Sequence, residues 1–278
     1  MVCPSCGDLD IMPLQVLDDG RKRLECQACS HVWLHGEMRV EPARRDSYSD
    51  AKRSFPQVSS ADPERRARVD ALKARFLERH PVPMPEVAPF WARYQRAFSE
   101  EGLEHADPSE FHYFANVETG ARPGNMSVFN NEWRRIGPEE GARRVRESVH
   151  YLLYGPEATP IEDRLTHLLE PGTELGMKGW KESLLTKVLC IQFPDRFLPI
   201  LTYTSPNGGK REMARMIWGL ELPDPNRVNW TIGRLIFWAN DTLIELAGDG
   251  FAHMQHVAEF VWMAKDREAD LAGKAQSR

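Results

Sequence analysis

The spacing of apolar residues divides the chain into three stretches. Near the N-terminus, short runs flank a turn pair: Leu14-Gln-Val-Leu17, then Asp19-Gly20, then Arg23-Leu24-Glu25. They read as a β-hairpin, with His31-Val-Trp-Leu34 as a third strand. From 41 to 62 apolar residues almost vanish, and Arg44, Arg45, Lys52 and Arg53 lie among Ser, Pro and Asp. That composition predicts a flexible linker. From residue 63 onward apolar residues recur at helical spacing. Val69, Leu72 and Phe76 mark a helix from 63 to about 80, started by Asp62-Pro63-Glu64 and stopped by Pro81, Pro83, Pro85 and Pro89. Its many Arg and Lys residues read as a solvated face. Phe90, Trp91, Tyr94 and Phe98 mark a second helix, from about 90 to 101, and Asp107-Pro-Ser-Glu110 opens a third.

Later in the chain, Ala142, Val145, Val149 and Leu152 define a helix from about 139 to 154. Thr159-Pro-Ile-Glu162 reads as a capping box before Leu165, Leu168 and Leu169. Leu184, Leu185, Val188 and Leu189 share a face of the next helix, and three more lie near 211–219, 230–247 and 251–266. The expected fold is mainly α: a helical domain over 63–272, a small β module over 1–40, and a linker over 41–62. The tail from Gly273 is expected to fray.

The chain has 278 residues, 41% of them apolar, with 8 Trp and 12 Phe, which argues for a real core and against disorder. A net charge of −5 means that no global field draws it onto nucleic acid, so any such contact needs local basic patches. No uninterrupted apolar run is long enough to predict a membrane span, and Met-Val-Cys-Pro does not read as a signal peptide. The expectation is a soluble, cytoplasmic protein.

The first forty residues carry the sharpest motif. Cys3-Pro-Ser-Cys6 and Cys26-Gln-Ala-Cys29 are two Cys-x-x-Cys knuckles. Four thiolates at this spacing suit a structural Zn2+ ion, closed to chemistry, in a zinc ribbon. Disulfides are the alternative, disfavoured by a reducing compartment. Cys190 reads as a small core residue. Arg21, Lys22 and Arg23 cluster on the hairpin, and Trp33 either covers the core or stacks a base.

Residues 116 to 137 read as irregular and rich in hydrogen-bonding side chains: Asn116, Arg122, Asn125, Ser127, Asn130 and Asn131. Amides there could read base edges, with Phe129 or Trp133 stacking, or the asparagines could simply satisfy turns. Both readings stay open.

The stretch from Leu175 to Thr204 organises the rest. Gly176 and Gly179 punctuate a tight turn that opens a helix, Lys178 and Lys181 lie beside it, and Pro194-Asp195-Arg196 ends it before Phe197–Leu201. Glycines there admit positive φ and the close approach of another backbone. A helix start with lysines beside it suits a phosphate. This run resembles the helix-hairpin-helix element of base-excision DNA glycosylases. Gly179 matches the second hairpin glycine, and Lys181 matches the lysine that forms a Schiff base. Met177 stands where the first hairpin glycine is usual, and Leu198-Pro199-Ile200-Leu201-Thr202 lacks the family's carboxylate. The run is also similar to DNA-recognition parts of modification-dependent restriction systems.

The resemblance implies DNA with a modified base as partner. It implies Gly176, Lys178, Gly179 and Lys181 as backbone contacts, to which the polar stretch adds Arg122, Asn125 and Asn130. For chemistry, a lysine amine lowered by burial can attack a sugar, which makes Lys181 the candidate nucleophile. Asp195 is the candidate carboxylate, with Glu182, Glu118 and Glu132 behind it. Ser205-Pro-Asn-Gly-Gly-Lys210 lacks the phosphate-loop spacing, so no nucleoside triphosphate is expected. The first expectation is a glycosylase-like enzyme of repair or of defence against foreign DNA. The second is a silent reader of modified DNA in a restriction-type system. The third is a zinc-ribbon module for protein partners.

Overall fold

A computed structural model describes residues 2–17, 21–35, 53–82 and 84–276. The Asp19-Gly20 turn and most of the expected linker lie outside the described residues. The N-terminal sheet is antiparallel, in the order β1 (Ile11–Val16), β2 (Lys22–Cys26), β3 (Val32–His35). Ile11 stands opposite Cys26, and Leu24 opposite Trp33. The register slips between Pro13 and Gln15, next to a proline that has no N–H for the ladder. Leu24 and Cys26 are buried, but the large core of the helical domain does not include them.

The helices are α1 (Pro63–Arg79), α2 (Val87–Ala97), α3 (Glu100–His105), α4 (Pro108–Asn116), α5 (Ser127–Ile136) and α6 (Pro138–Tyr154). They continue as α7 (Ile161–Leu169), α8 (Glu182–Gln192), α9 (Lys210–Trp218), α10 (Ile232–Ala247) and α11 (Met254–Gln276). The mainly helical class with a small β module is therefore observed. The centre is α8, which packs against α2 and α6. Every residue from Leu184 to Ile191 is buried, so the one-sided face expected from the leucines is replaced by enclosure all round. Around it, α7 lies on α10, and α9 packs against α1, α10 and α11.

Local chemistry explains most boundaries. Asp62 Oδ1 accepts from the N–H groups of Glu64 and Arg65 at 2.9 and 3.0 Å, which starts α1. Asp107 does the same for α4 through Ser109, at 2.8 Å. The expected helix over 90–101 is instead two, because Ser99 Oγ caps α3 through the Gly102 N–H at 3.0 Å. Pro89 does not break a helix; it lies in the first turn of α2, where an N–H has no partner anyway. The capping box at Thr159 does not form, since the cap is Pro160 and no side chain caps α7. The irregular stretch is shorter than expected, 117–126, because α5 takes up the residues after it.

Two further expectations are corrected. The linker does not reach 62: Phe55 is buried, edge-on to Trp230 and Trp238 at 4.7 and 4.9 Å. The basic face of α1 is not simply solvated. Arg65 Nη1 donates to the Arg215 and Met216 carbonyls at the end of α9, at 3.1 and 2.9 Å. Lys73 Nζ donates to the Ala247 carbonyl at the end of α10, at 2.7 Å. Arg68 pairs with Glu268 of α11 at 3.0 Å. Cations at helix C-termini satisfy carbonyls that have no partner within the helix and complement the helix dipole.

Gly179 is fixed by space as well as by φ. At φ +82°, a Cβ there would stand 2.3 Å from the Phe129 nitrogen and 2.5 Å from its Cα, both backbone atoms. Gly124 has φ +86° and nothing within 4 Å. Gly179→Ala is therefore expected to destabilise by about 3 kcal/mol or more, and Gly124→Ala by about 1 kcal/mol of backbone strain. Urea midpoints of the two variants measure this; equal losses would mean that the Phe129 backbone yields.

Candidate metal centre and the surface around the glycine turn

The knuckles bring Cys3, Cys6, Cys26 and Cys29 together, with ligand atoms all within 4.8 Å of one another. Cys3 Sγ lies 3.6 Å from Cys29 Sγ, and Cys6 Sγ lies 3.6 Å from Cys26 Sγ. Thiolates about 2.3 Å from a tetrahedral ion stand about 3.8 Å apart, whereas a disulfide needs about 2.05 Å. The spacing could hold a metal ion and is too wide for a disulfide. Four thiols this close cannot all ionise without a cation among them. Burial raises the Cys3 thiol, but N–H donation from Cys6 and Ser5 outweighs it and brings it to about 7. The Asp8 N–H pulls Cys6 down, yet Cys29, burial and Cys26 push it up to about 12. Backbone N–H groups aimed at sulfur are the outer layer that steadies a thiolate-bound ion.

The second knuckle abuts the glycine turn. Gly176 and Gly179 have φ of +95° and +82°, the conformation expected of them. Met177 and Trp180 pair across the turn and are both buried, leaving Lys178 exposed at the tip. Lys178 Nζ lies 3.5 Å from the Gln27 carbonyl and 3.3 Å from Ser30 Oγ, both next to the knuckle. Ser30, at φ +57°, is the sole non-glycine with positive φ among the described residues. Lys181 is half-buried, its Nζ 3.4 Å from the Leu168 carbonyl. Burial lowers its amine below the usual lysine range, and Glu25 of β2 partly restores it.

The polar loop 117–126 comes to the same place. Ser183 Oγ donates to the Pro123 carbonyl at 2.7 Å, and Gly179 lies against Phe129. The start of α8 and the glycine turn are therefore tied to this stretch through Pro123 and Phe129, across about fifty residues of sequence. Arg122 is exposed and pairs with Glu118 at 2.9 Å, a weak interaction in solvent. Asn125 Oδ1 accepts from the Ser127 N–H at 2.9 Å. Asn130 departs from the expectation. Its amide exchanges two hydrogen bonds with Asn116, at 3.0 and 2.8 Å, so it closes the neck of the loop instead of offering its edge outward.

No family model, curated protein or solved structure matches this chain.

Lys181 and Asp195 are not brought together. They flank the eleven-residue α8, one before its start and one beyond its end, and the helix itself is about 16 Å long at 1.5 Å per residue. The carboxylate that meets the proline-containing segment is Glu182, which accepts from the Tyr203 N–H. Burial pushes its carboxyl up to about 7, against the pull of that N–H and of Lys210. Three more residues of this region were given no role by the sequence reading: Ser183, Lys187 and Lys210. Lys187 is fully buried and donates to the Phe114 and Val117 carbonyls. Burial pulls its amine down to about 7. Lys210 is buried against the Ile200 carbonyl and lowered to about 8, again by burial. A lysine set inside an apolar run, as Lys187 is, was the available signal.

Two outcomes follow from this geometry. Cys26→Ser is expected to lose bound metal, read by elemental analysis, while helical circular dichroism persists, since the ribbon and the helical core are separate. Metal retained at one equivalent would remove Cys26 from the ligand set. Glu182 gives a pH signature. Its folded value, about 7, lies above the ordinary 4.5, so its contribution is full below 4.5 and lost as pH rises through 7. Relative to Glu182→Gln, the wild type should lose stability between about pH 5 and about pH 8. A constant difference in urea midpoint would show that Glu182 is not enclosed.

Proposed function

We propose that this chain is a zinc-braced DNA-binding module that reads modified DNA without cutting it. The observation that carries the reading is convergence. The second knuckle, the glycine turn and the polar loop are distant in sequence, yet Lys178 reaches the knuckle, and Gly179 and Ser183 reach Phe129 and Pro123; on this reading Lys178, Arg122 and Asn125 face the same DNA. Zinc suits the four-thiolate site, since it needs no open position and favours tetrahedral sulfur. Lys178 beside the knuckle offsets part of the double negative charge of a zinc tetrathiolate. The exposed cations would contact phosphate, and the Asn125 amide would reach a base edge.

A reader fits better than an excising enzyme. Excision by amine attack needs Lys181 and a carboxylate at one sugar, and Asp195 lies beyond the far end of α8, a helix about 16 Å long. The Lys181 amine also lies between a helix-end carbonyl and the ribbon.

Fluorescence anisotropy with duplexes carrying modified or plain cytosine tests the proposal. Binding should weaken with salt and favour the modified duplex. Lys178→Ala and Arg122→Ala should each weaken it by roughly fivefold and flatten the salt dependence. A borohydride-trapped adduct that disappears in Lys181→Ala would replace the reader with the enzyme. Absence of any salt-sensitive binding would leave only the metal-braced fold.

A further inference from the structure

The polar loop is held at four points. At its neck, Asn116 and Asn130 exchange amide hydrogen bonds. At its first residue, the Val117 carbonyl accepts from Lys187 Nζ, which also bonds the Phe114 carbonyl at 3.0 Å. In its middle, Gly120 at φ +76° lies so close to Phe90 that a Cβ would stand 3.1 Å from the ring. Near its end, the Pro123 carbonyl accepts from Ser183 Oγ at 2.7 Å. Two of these four holds come from α8, from residues spaced one helical turn apart. Glu118 and Arg122 project from the loop into solvent.

We infer that Ser183 and Lys187 are positioning residues that strap the loop along α8 and so fix where Arg122 and Asn125 stand on the DNA-facing surface. The inference rests on the DNA-binding reading for its purpose, but not for its geometry. The lysine is suited to the task. Its ammonium lies over the Phe90 and Phe114 rings, 5.6 and 4.9 Å from their centroids, which offsets part of its desolvation. The carbonyls it bonds belong to the end of α4 and the residue just beyond it, where helix carbonyls lack intrahelical partners. It therefore ends one helix and begins the loop at a single point. Ser183, one turn earlier on α8, takes hold six residues further along the chain. A loop tied at both points has little conformational entropy left to lose on binding.

The test uses the full-length protein with Lys187→Met, which keeps bulk between the rings but has no donor, and Ser183→Ala, with Ser183→Thr as the conservative control. Amide hydrogen exchange should speed up by about tenfold or more in 117–126 for both donor-less variants, with α8 and α10 unchanged. Ser183→Thr should exchange like the wild type. DNA affinity should fall by several-fold in Lys187→Met and in Ser183→Ala but not in Ser183→Thr, and adding Arg122→Ala to either donor-less variant should cost little more, because a displaced Arg122 is already lost to binding. Unchanged exchange in the loop overturns the strap. Full additivity with Arg122→Ala overturns the positioning role. Should Lys187→Met fail to fold, Ser183→Ala and Ser183→Thr decide both questions. A wild type that binds no DNA, yet shows the exchange pattern, would retire the DNA reading and leave the strap standing.

Discussion

A helix enclosed on every side must find partners inside the protein for most of the polar groups it carries, and α8 imposes that demand on its neighbours, with the Thr186 hydroxyl left unpaired. Its first residue, Glu182, meets the Tyr203 N–H. Its one internal lysine reaches the end of α4. Near its far end two glutamines exchange places: Gln95 of α2 donates to the Ile191 carbonyl at 2.9 Å, and Gln192 donates to the Tyr94 carbonyl at 3.1 Å. Each contact fixes another element against α8, and unmade bonds there would leave desolvated groups that destabilise the fold. The position of α2, α4, the polar loop and the segment 197–203 is set by this accounting as much as by apolar packing.

The same logic governs the cations. Many arginines and lysines of the helical domain serve as internal fasteners. Arg65 and Lys73 close helix ends, and Arg146 donates to the Ala106 carbonyl at 2.7 Å while lying over Phe111. Arg143 and Arg144 are held by Glu140 on their own helix. A chain with net charge −5 that binds a polyanion cannot rely on bulk attraction. On the proposed reading it relies on Lys178 and Arg122, held beside a metal-stiffened knuckle.

Local chemistry was legible in the sequence, and tertiary consequences were not. The four cysteines, the caps at Asp62 and Asp107, and the positive φ of Gly176 and Gly179 each follow from a few adjacent residues. The close approach at Gly179 was also foreseeable, though not that Phe129 makes it. Asn130 looked available because its partner, Asn116, lies on another helix. Phe55 looked like linker because the tryptophans that cover it lie far down the chain. Lys187 was given no role by the sequence, and only the enclosure of α8 turns it into a structural donor. The helix between Lys181 and Asp195 was legible too, since the glycine turn opens it and Pro194 closes it.

The amide pair at the neck has an evolutionary consequence. Because Asn116 and Asn130 fix the two feet of the loop, the helices that bear them do not feel its length. Extra residues at Gly124, which has open space around it, would add only the slowly growing entropy of closing a longer loop. Sequence drift could therefore enlarge or reshape this rim while α4, α5 and the interior stay as they are.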